Sequence, residues 1–539
     1  MDMSNPPPDS PLSPPRSASM SLIRAELARQ LITATSSIGF DNKKYIETQK
    51  KKILERLSKS DNKLYIEFGG KLLFDFHAAR VLPGYDPNVK IHLLSELSSD
   101  CDIILCVNAD DIEHHKVRAD FGITYHEDVM KMIDDLRNMG ILITAVVITQ
   151  FTEQPGAKSF KQRLENRDIL VYTHPKIPGY PDDLDTIVSD NGYGKCTYIE
   201  TTKRIVVVTA PGPGSGKLAT CLSQLYHEYR RGVKAGYAKF ETFPVWNIPL
   251  KHPINVAYEA ATLDLNDNNL IDGFHKAAYG VQSVNYNRDI AAYPLLKCIM
   301  ERITNGECPY KSPTDMGVNC IADGIVNENI CCDASKQEII RRYFRCLNEF
   351  SMGSIPQDTI FKAKELMDEV GVNEKDRDVV PQAREAAEEA KLMPGKGNHG
   401  IYCGAAIRLP TGEIIKGRNS PYLHSASAVI ISAAKKLAEI PEDMKILSPQ
   451  VLDSIALMKS HIYHSDEPSL DVTELLIALS VVQPMNTSID PIMKRLPELY
   501  GCEMHLTHIP STGDENGLRK LGIRFTYDPN HSSRNLFNL

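Results

Sequence analysis

The sequence predicts an α/β protein: an N-terminal doubly wound, mostly parallel sheet with a phosphate-loop-like turn, a helical middle domain and a C-terminal α+β part. Three observations predict it. Short β-rich runs alternate with helical stretches from about residue 39 to 253, the pattern of a parallel sheet with crossover helices. One run, 204–209, ends in a glycine-rich turn that opens an amphipathic helix at 216–231, the layout of a phosphate cradle. The pattern then changes twice, becoming mainly helical after Pro253 and hairpin-then-helix after Asn398.

Residues 1–36 are rich in Pro and Ser, as in Pro6-Pro-Pro and Pro14-Pro15. They bury too little apolar surface to fold and are expected to be a disordered tail. The α/β domain is expected over 37–255. Its strands are expected at 64–68, 102–108, 141–149, 169–173, 185–188 and 204–209, its helices at 41–59, 126–138, 157–164 and 216–231. In the last helix Leu218, Cys221, Leu222, Leu225 and Tyr229 share one face.

Such sheets bind ligands at the carboxyl ends of their strands. That makes the post-strand segments 67–71, 108–111, 174–180, 189–195 and 210–217 a set, each carrying Gly, Lys, Asn or an acid. In 210–217, Gly212, Gly214, Ser215 and Gly216 are expected to offer backbone donors, and Lys217 to neutralise phosphate charge. A lysine in a first helical turn faces the positive end of the helix dipole, which calls for a nearby anion. The turn departs from G-x-x-x-x-G-K-[ST]: Pro211 takes the first glycine position, Leu218 the Ser/Thr position, and Pro213 removes a donor. The bland alternative is a tight turn whose glycines permit close packing. Asp110 and Asp111 follow a hydrophobic strand and are candidates to hold Mg²⁺ in place of the missing Ser/Thr; the alternative is a helix cap. Lys71, Lys116, Arg118 and Lys239 are candidates for neutralising further substrate charge, and equally ordinary surface cations.

The helical domain is expected over 256–395. Two polar segments there are unusual for connectors, Tyr286-Asn-Arg-Asp289 and 311–319, and Asp289 is a candidate metal-positioning acid. Residues 373–391 read as a solvated helix, and Pro394-Gly-Lys-Gly397 as a linker.

The part 396–539 opens with a strand from Tyr402, a turn at Pro410-Thr-Gly-Glu413, a strand from Ile414 and a helix at 428–438. This resembles the start of the cytidine-deaminase scaffold. The zinc signature H-x-E with a later P-C-x-x-C is absent, since Ser425 and Ala426 follow His424 and Cys502 stands alone. Neither zinc nor deaminase chemistry is expected. His424 and His505 remain candidate acids, with satisfied structural histidines as the alternative.

Composition narrows the class. The 42% hydrophobic and 24% charged fractions are those of a globular protein. A net charge of -8 gives no basic footprint for nucleic acid, and no run approaches the roughly 20 apolar residues of a membrane span. The twelve cysteines form no C-x-x-C pair, so reduced thiols in a cytoplasmic chain are expected. Length and helical content favour a homo-oligomer.

The longer runs carry a family resemblance. Gly39-Phe-Asp-Asn-Lys, Tyr65-Ile-Glu-Phe-Gly-Gly-Lys-Leu, His77-Ala-Ala-Arg-Val-Leu-Pro-Gly and Lys116-Val-Arg-Ala-Asp-Phe-Gly-Ile-Thr-Tyr stand in the first third. Thr209-Ala-Pro-Gly-Pro-Gly-Ser-Gly-Lys, Gly236-Tyr-Ala-Lys-Phe-Glu-Thr-Phe-Pro, Asn285-Tyr-Asn-Arg-Asp, 311–319 and Lys520-Leu-Gly-Ile follow. From about Gly39 onward the chain resembles the family of domain of unknown function 1846. The resemblance implies the same three-part architecture and no defined activity. Some members carry an ATP-dependent peptidase label. Neither His126-Glu127 nor His227-Glu228 continues to H-E-x-x-H, so a peptidase is not expected.

The functional expectation is an enzyme of phosphoryl-transfer or hydrolase type that binds a small phosphorylated ligand, ATP or another nucleotide with Mg²⁺ foremost. The alternative is a non-catalytic nucleotide or anion sensor, or an assembly protein.

Overall fold

The computed structural model describes residues 38–97, 101–118, 122–306, 308–465 and 467–533. The expected Pro/Ser tail lies outside the described residues. The large sheet is built from β1 (Leu64–Phe68), β2 (Cys101–Asn108), β3 (Ala145–Thr149), β4 (Val171–Thr173), β5 (Ile205–Thr209) and β6 (Gly236–Phe240). Its order is β4-β3-β2-β5-β1-β6, and every pairing is parallel. All five residues of β1, β3 and β5 are buried, as befits parallel strands covered on both faces.

The pleat sends alternate side chains to two cores. Ile66, Ile103, Leu105, Val107, Val207 and Phe240 join one. Tyr65, Ile104, Cys106, Val206, Val208 and Tyr237 join the other. On the first face lie α1 (Asn42–Leu57), the short α2 (Ala109–Glu113), α3 (Tyr125–Asn138) and α4 (Pro155–Glu165). On the second lies α5 (Lys217–Arg230), through Cys221, Leu222 and Leu225.

Two strand expectations are corrected. Residues 185–187 belong to a helical turn, Leu184–Ile187, which Val188 closes, because the Asp183 side chain accepts from Thr186 N and caps it. The run 141–149 becomes strand only at Ala145, while Thr144 bridges to β2 by donating to Asp102. β6 was not anticipated.

The middle of the chain contributes α6 (Pro253–Ala261), a hairpin of β7 (Asn269–Ile271) and β8 (Val284–Tyr286), α7 (Asn287–Thr304), α8 (Glu328–Ser351) and α9 (Gln357–Glu369). Tyr293, Leu296, Ile299 and Met300 of α7 pack beside α5 on the second face.

α10 (Val379–Leu392) packs on a four-stranded sheet of β9 (Gly404–Arg408), β10 (Ile414–Arg418), β11 (Glu503–Leu506) and β12 (Arg524–Tyr527). This helix thus goes with the C-terminal part, and the structural boundary lies ahead of it rather than at Pro394. The sheet order is β10-β9-β11-β12, antiparallel except for the last pair. Its other face carries α11 (Ser425–Leu437), α12 (Val472–Val482) and α13 (Thr512–Leu521). Arg341 of α8 donates to Glu503 of β11 at 3.0 Å, and Asn348 to the Tyr527 carbonyl at 2.8 Å, fastening the two sheets' layers together. No helix among the described residues is long and apolar enough to cross a membrane.

Candidate functional site

After β2 the chain moves outward to β3 and β4, then returns to β5 beside β2. The segments leaving β2 and β5 therefore part to opposite faces, α2 to one and α5 to the other, which opens a crevice at the carboxyl edge. Asn108, the last residue of β2, accepts from Asp110 N at 2.9 Å and donates to the Gly214 carbonyl at 3.2 Å. The glycine-rich turn and the Asp110–Asp111 segment thus meet across this crevice.

The turn is tightly built. Gly214 and Gly216 both have positive φ, 75° and 83°, a conformation glycine adopts without cost. Thr149 at the end of β3 donates to the Ser215 carbonyl at 2.9 Å, and the Ser215 hydroxyl donates to the Gly212 carbonyl at 2.9 Å. Lys217 reaches back to the same Gly212 carbonyl at 3.4 Å, and no described carboxylate is ion-paired to it. Opposite, Lys116 is 3.2 Å from Asp111 and lies over the Tyr125 ring, 5.0 Å from its centroid. The second oxygen of Asp111 is buried without a partner among the described residues. Asp110 accepts from Gln154 at 2.8 Å.

A cavity of about 140 Å³ opens on the same edge, beyond β1 and β6. Its walls include Arg56, Lys239, Glu241, Trp246, Asp289 and Thr314. The polar segments 286–289 and 311–319, far apart in the chain, both contribute to it. Lys239 is ion-paired to Asp289 in the first turn of α7 and to Glu241 at 3.1 Å. Glu67 of β1 lies alongside and accepts from Tyr237 at 2.8 Å. Burial pulls the Lys239 ammonium's pKa down, but Asp289, Glu241 and Glu67 outweigh it and the net shift is upward. Burial pushes the Glu241 carboxyl up, Lys239 pulls it down, Asp289 and Glu67 push it up again, and it stands at about 7. Lys239 is therefore committed to these carboxyls, which corrects its reading as a free neutraliser of substrate charge.

The Cys221 thiol is raised first by burial, then by the charge of Glu67, and lowered by that of Lys217. The strand β1 that carries Glu67 stands between β5 and β6, one spacing of about 4.8 Å from each.

The other expected residues lie elsewhere. The Lys71 carbonyl accepts from Lys90 at 2.7 Å, and the Lys71 charge acts on Asp75 and His77. Arg118 lies on a two-residue strand, Val117–Arg118, and its side chain is outside what the structure describes. His424 immediately precedes α11, with Nδ1 2.6 Å from the Asp514 carboxylate. Burial lowers the His424 pKa, but Asp514, Glu467 and Asp471 raise it further, so the net shift is upward. His505 is fully buried on β11, with Nδ1 2.9 Å from the Thr526 hydroxyl and the ring tilted against Phe344, centroids 4.8 Å apart. Burial lowers its pKa. This corrects its reading as a candidate acid, since it presents no surface to a ligand.

Among the described residues one group has the composition of a metal site: His252, Glu328 and Cys332, with ligand atoms within 4.8 Å of one another. His252 Nδ1 accepts from Ile254 N at 3.2 Å, so the ring proton sits on Nε2, which faces Glu328 at 3.0 Å. The nitrogen nearest the other two ligands is thus a donor, and the arrangement suits a helix cap rather than a metal.

Sequence reasoning missed Glu241, Arg56 and Trp246. Glu241 had a signal, the Lys-x-Glu pair closing the run from Gly236, because residues two apart on a strand share a face. Arg56 had none; it lies on α1 and reaches the cavity only through the fold.

Comparison with known proteins agrees with the architecture. The family model described as domain of unknown function DUF1846, N-terminal, matches residues 38–371, and that for its C-terminal domain matches 375–537. The division falls ahead of α10, where the packing places it. The chain is 52% identical over 500 residues to a UPF0371 protein of Clostridium tetani, covering 93% of this chain and 99% of that one. It is 53% identical, with the same coverage, to a UPF0371 protein of Clostridium botulinum (strain Kyoto / Type A2). A fold built from both domains, and matches that run nearly end to end, establish that the chain belongs to the DUF1846 family.

Proposed function

We propose that this protein is an enzyme acting on a small phosphorylated molecule whose phosphate rests on the 210–217 turn. One observation carries the reading. Lys217 stands in the first turn of a 14-residue helix, against the positive end of its dipole, and its one hydrogen-bond partner among the described residues is a backbone carbonyl at 3.4 Å. No described carboxylate is ion-paired to that charge, and an anion at the turn would satisfy both it and the helix end.

The residues fit one phosphate better than a nucleotide's whole chain. Pro211 and Pro213 remove two backbone donors, Leu218 replaces the metal-binding hydroxyl, and Ser215 is spent on Gly212. Where Mg²⁺ takes part, it neutralises phosphate charge, and Asp111, with one buried oxygen free of described partners, is the residue to hold it, Asp110 assisting. Nucleotides and sugar phosphates are both within this class. The C-terminal part reads as a deaminase-like scaffold without its chemistry. In support are the order β10-β9-β11-β12 and α11 following the hairpin; against zinc stands His424, engaged by Asp514.

The test is a thermal-shift panel of inorganic phosphate, nucleotides and sugar phosphates, with and without Mg²⁺, on wild type and Lys217→Ala. A ligand at 100 times its dissociation constant stabilises by about 2.7 kcal/mol. A shift seen in wild type and lost in Lys217→Ala supports the reading. No shift with any phosphate makes the turn a packing device and ends it.

A further inference from the structure

The cavity beside β6 is a charged chamber whose features the phosphate turn does not explain. Two of its lining carboxyls, Glu241 after β6 and Asp289 on α7, share the single ammonium of Lys239, whose charge also feels Glu67 of β1 behind them. The lining also holds two cations, Lys52 and Arg56 of α1, and a third carboxylate, Asp315, which accepts from Tyr279 at 2.9 Å. Arg56 donates to the Asp315 and Gly317 carbonyls at 2.7 and 3.3 Å, and no described carboxylate is ion-paired to either cation. Carboxyls that share one ammonium and cations without an ion-paired carboxylate thus line one space of about 140 Å³, the scale of a small organic molecule.

We propose that this cavity binds a small zwitterion of the amino-acid class, its ammonium against Glu241 and Asp289 and its carboxylate against Arg56 and Lys52. The ligand's ammonium joins Lys239 in neutralising Glu241 and Asp289, and its carboxylate meets cations that have no ion-paired carboxylate among the described residues. Arg56 is braced by its two carbonyl contacts and lies 5.0 Å from the Tyr310 ring centroid, so its fork is held in place before ligand arrives. Trp246 and Val284 give the cavity an apolar wall, and Asn285 and Thr314 give it further hydrogen-bonding groups.

The site also handles a proton. Glu241 faces Glu67, Lys239 and Asp289, and its charge is felt by Tyr258 of α6 and Tyr286 of β8. Burial first, then Asp289 and Glu67, raise the Glu241 carboxyl against the pull of Lys239, which leaves part of its population protonated near neutral pH. An arriving ammonium favours the ionised form, and Glu241 releases its proton to solvent. Binding is therefore coupled to proton release, and affinity falls as pH drops below about 7.

The experiment is a thermal-shift screen of the full chain against the common free amino acids, with acetate and ethylamine as single-charge controls, followed by calorimetry in two buffers of different ionisation enthalpy. At least one amino acid is expected to stabilise wild type while neither control does. Asp289→Asn and Arg56→Met should each weaken it tenfold or more. Lys52→Gln, an exposed change that leaves the core alone, should weaken it several-fold. Buffer-dependent heats should show proton release near pH 6.5 that fades by about pH 8. Lys217→Ala should leave all of this intact, which separates the cavity from the phosphate turn. No stabilising amino acid, equal effects from the controls, or undiminished binding in Arg56→Met and Lys52→Gln would overturn the proposal.

Discussion

Thr149 occupies the space that a side chain on Gly216 would need. A Cβ there would stand 2.7 Å from Thr149 Cγ2, and Gly216 is held at φ 83° as the residue before α5. The end of β3 thus fixes the shape of the turn after β5, two strands away in the sheet.

Gly216→Ala should therefore cost about 2–4 kcal/mol, from the left-handed backbone and the overpacking together. Gly214→Ala, where φ is 75° but nothing lies within 4 Å, should cost about 1 kcal/mol. Urea midpoints measure both. Equal losses would show that Thr149 yields and does not shape the turn.

Lys217→Ala should behave in the opposite way. It removes a cation from the positive end of α5 and breaks only one long contact, 3.4 Å to Gly212. Stability in the absence of ligand should stay within about 0.5 kcal/mol of wild type. A loss of 2 kcal/mol or more would mean that the lysine is structural and not placed for an anion.

These glycines and this lysine were legible in the sequence because strand, turn and helix are contiguous. The central strands were legible for a similar reason: Ile103–Val107 and Val206–Val208 are apolar on both faces, as a doubly covered parallel sheet demands. β6 was not, because its Lys239 reads as surface charge until Asp289 and Glu241 are seen around it. The cavity was half legible. The segments 286–289 and 311–319 looked too polar for connectors, but only the fold brings them to Arg56, Lys239 and Glu241. The turn at 184–187 misled because Asp-Thr-Ile-Val has strand-like residues, while the cap that makes it helical comes from Asp183, one residue ahead of it.

His424 and Asp514 give a pH-dependent contribution to stability. The folded-state pKa of His424 is raised, so its share of stability is fully present below the ordinary histidine value near 6.5 and is lost as pH rises through the folded value. His424→Gln should therefore destabilise more at about pH 6 than at about pH 9. The comparison is a pair of urea melts for each protein. An equal deficit at both values would show that the 2.6 Å contact works through shape rather than charge.

Arg377 and Glu503 should govern the acid limb of stability. Arg377 is fully buried and donates to Glu503, the Thr526 hydroxyl and the carbonyls of Met504 and Arg524, the last three at 3.0 Å. Burial raises the Glu503 carboxyl, but Arg341, Arg377 and Arg524 outweigh it and hold the pKa well below the usual range. A depressed carboxyl stabilises the fold above its unfolded pKa, near 4.3, and that stability is lost as pH falls. Arg377→Ala should cost about 3–5 kcal/mol at neutral pH, because it leaves buried acceptors without their donor. Arg377→Lys should recover less than half, since one ammonium cannot span four acceptors as a guanidinium does. Arg377→Ala should also flatten the acid transition, because Glu503 then titrates closer to its unfolded value. Chemical denaturation from about pH 3 to pH 7 reads both effects. A full loss at neutral pH with an unchanged acid slope would place the contribution of Arg377 in its carbonyl contacts and not in the ion pair.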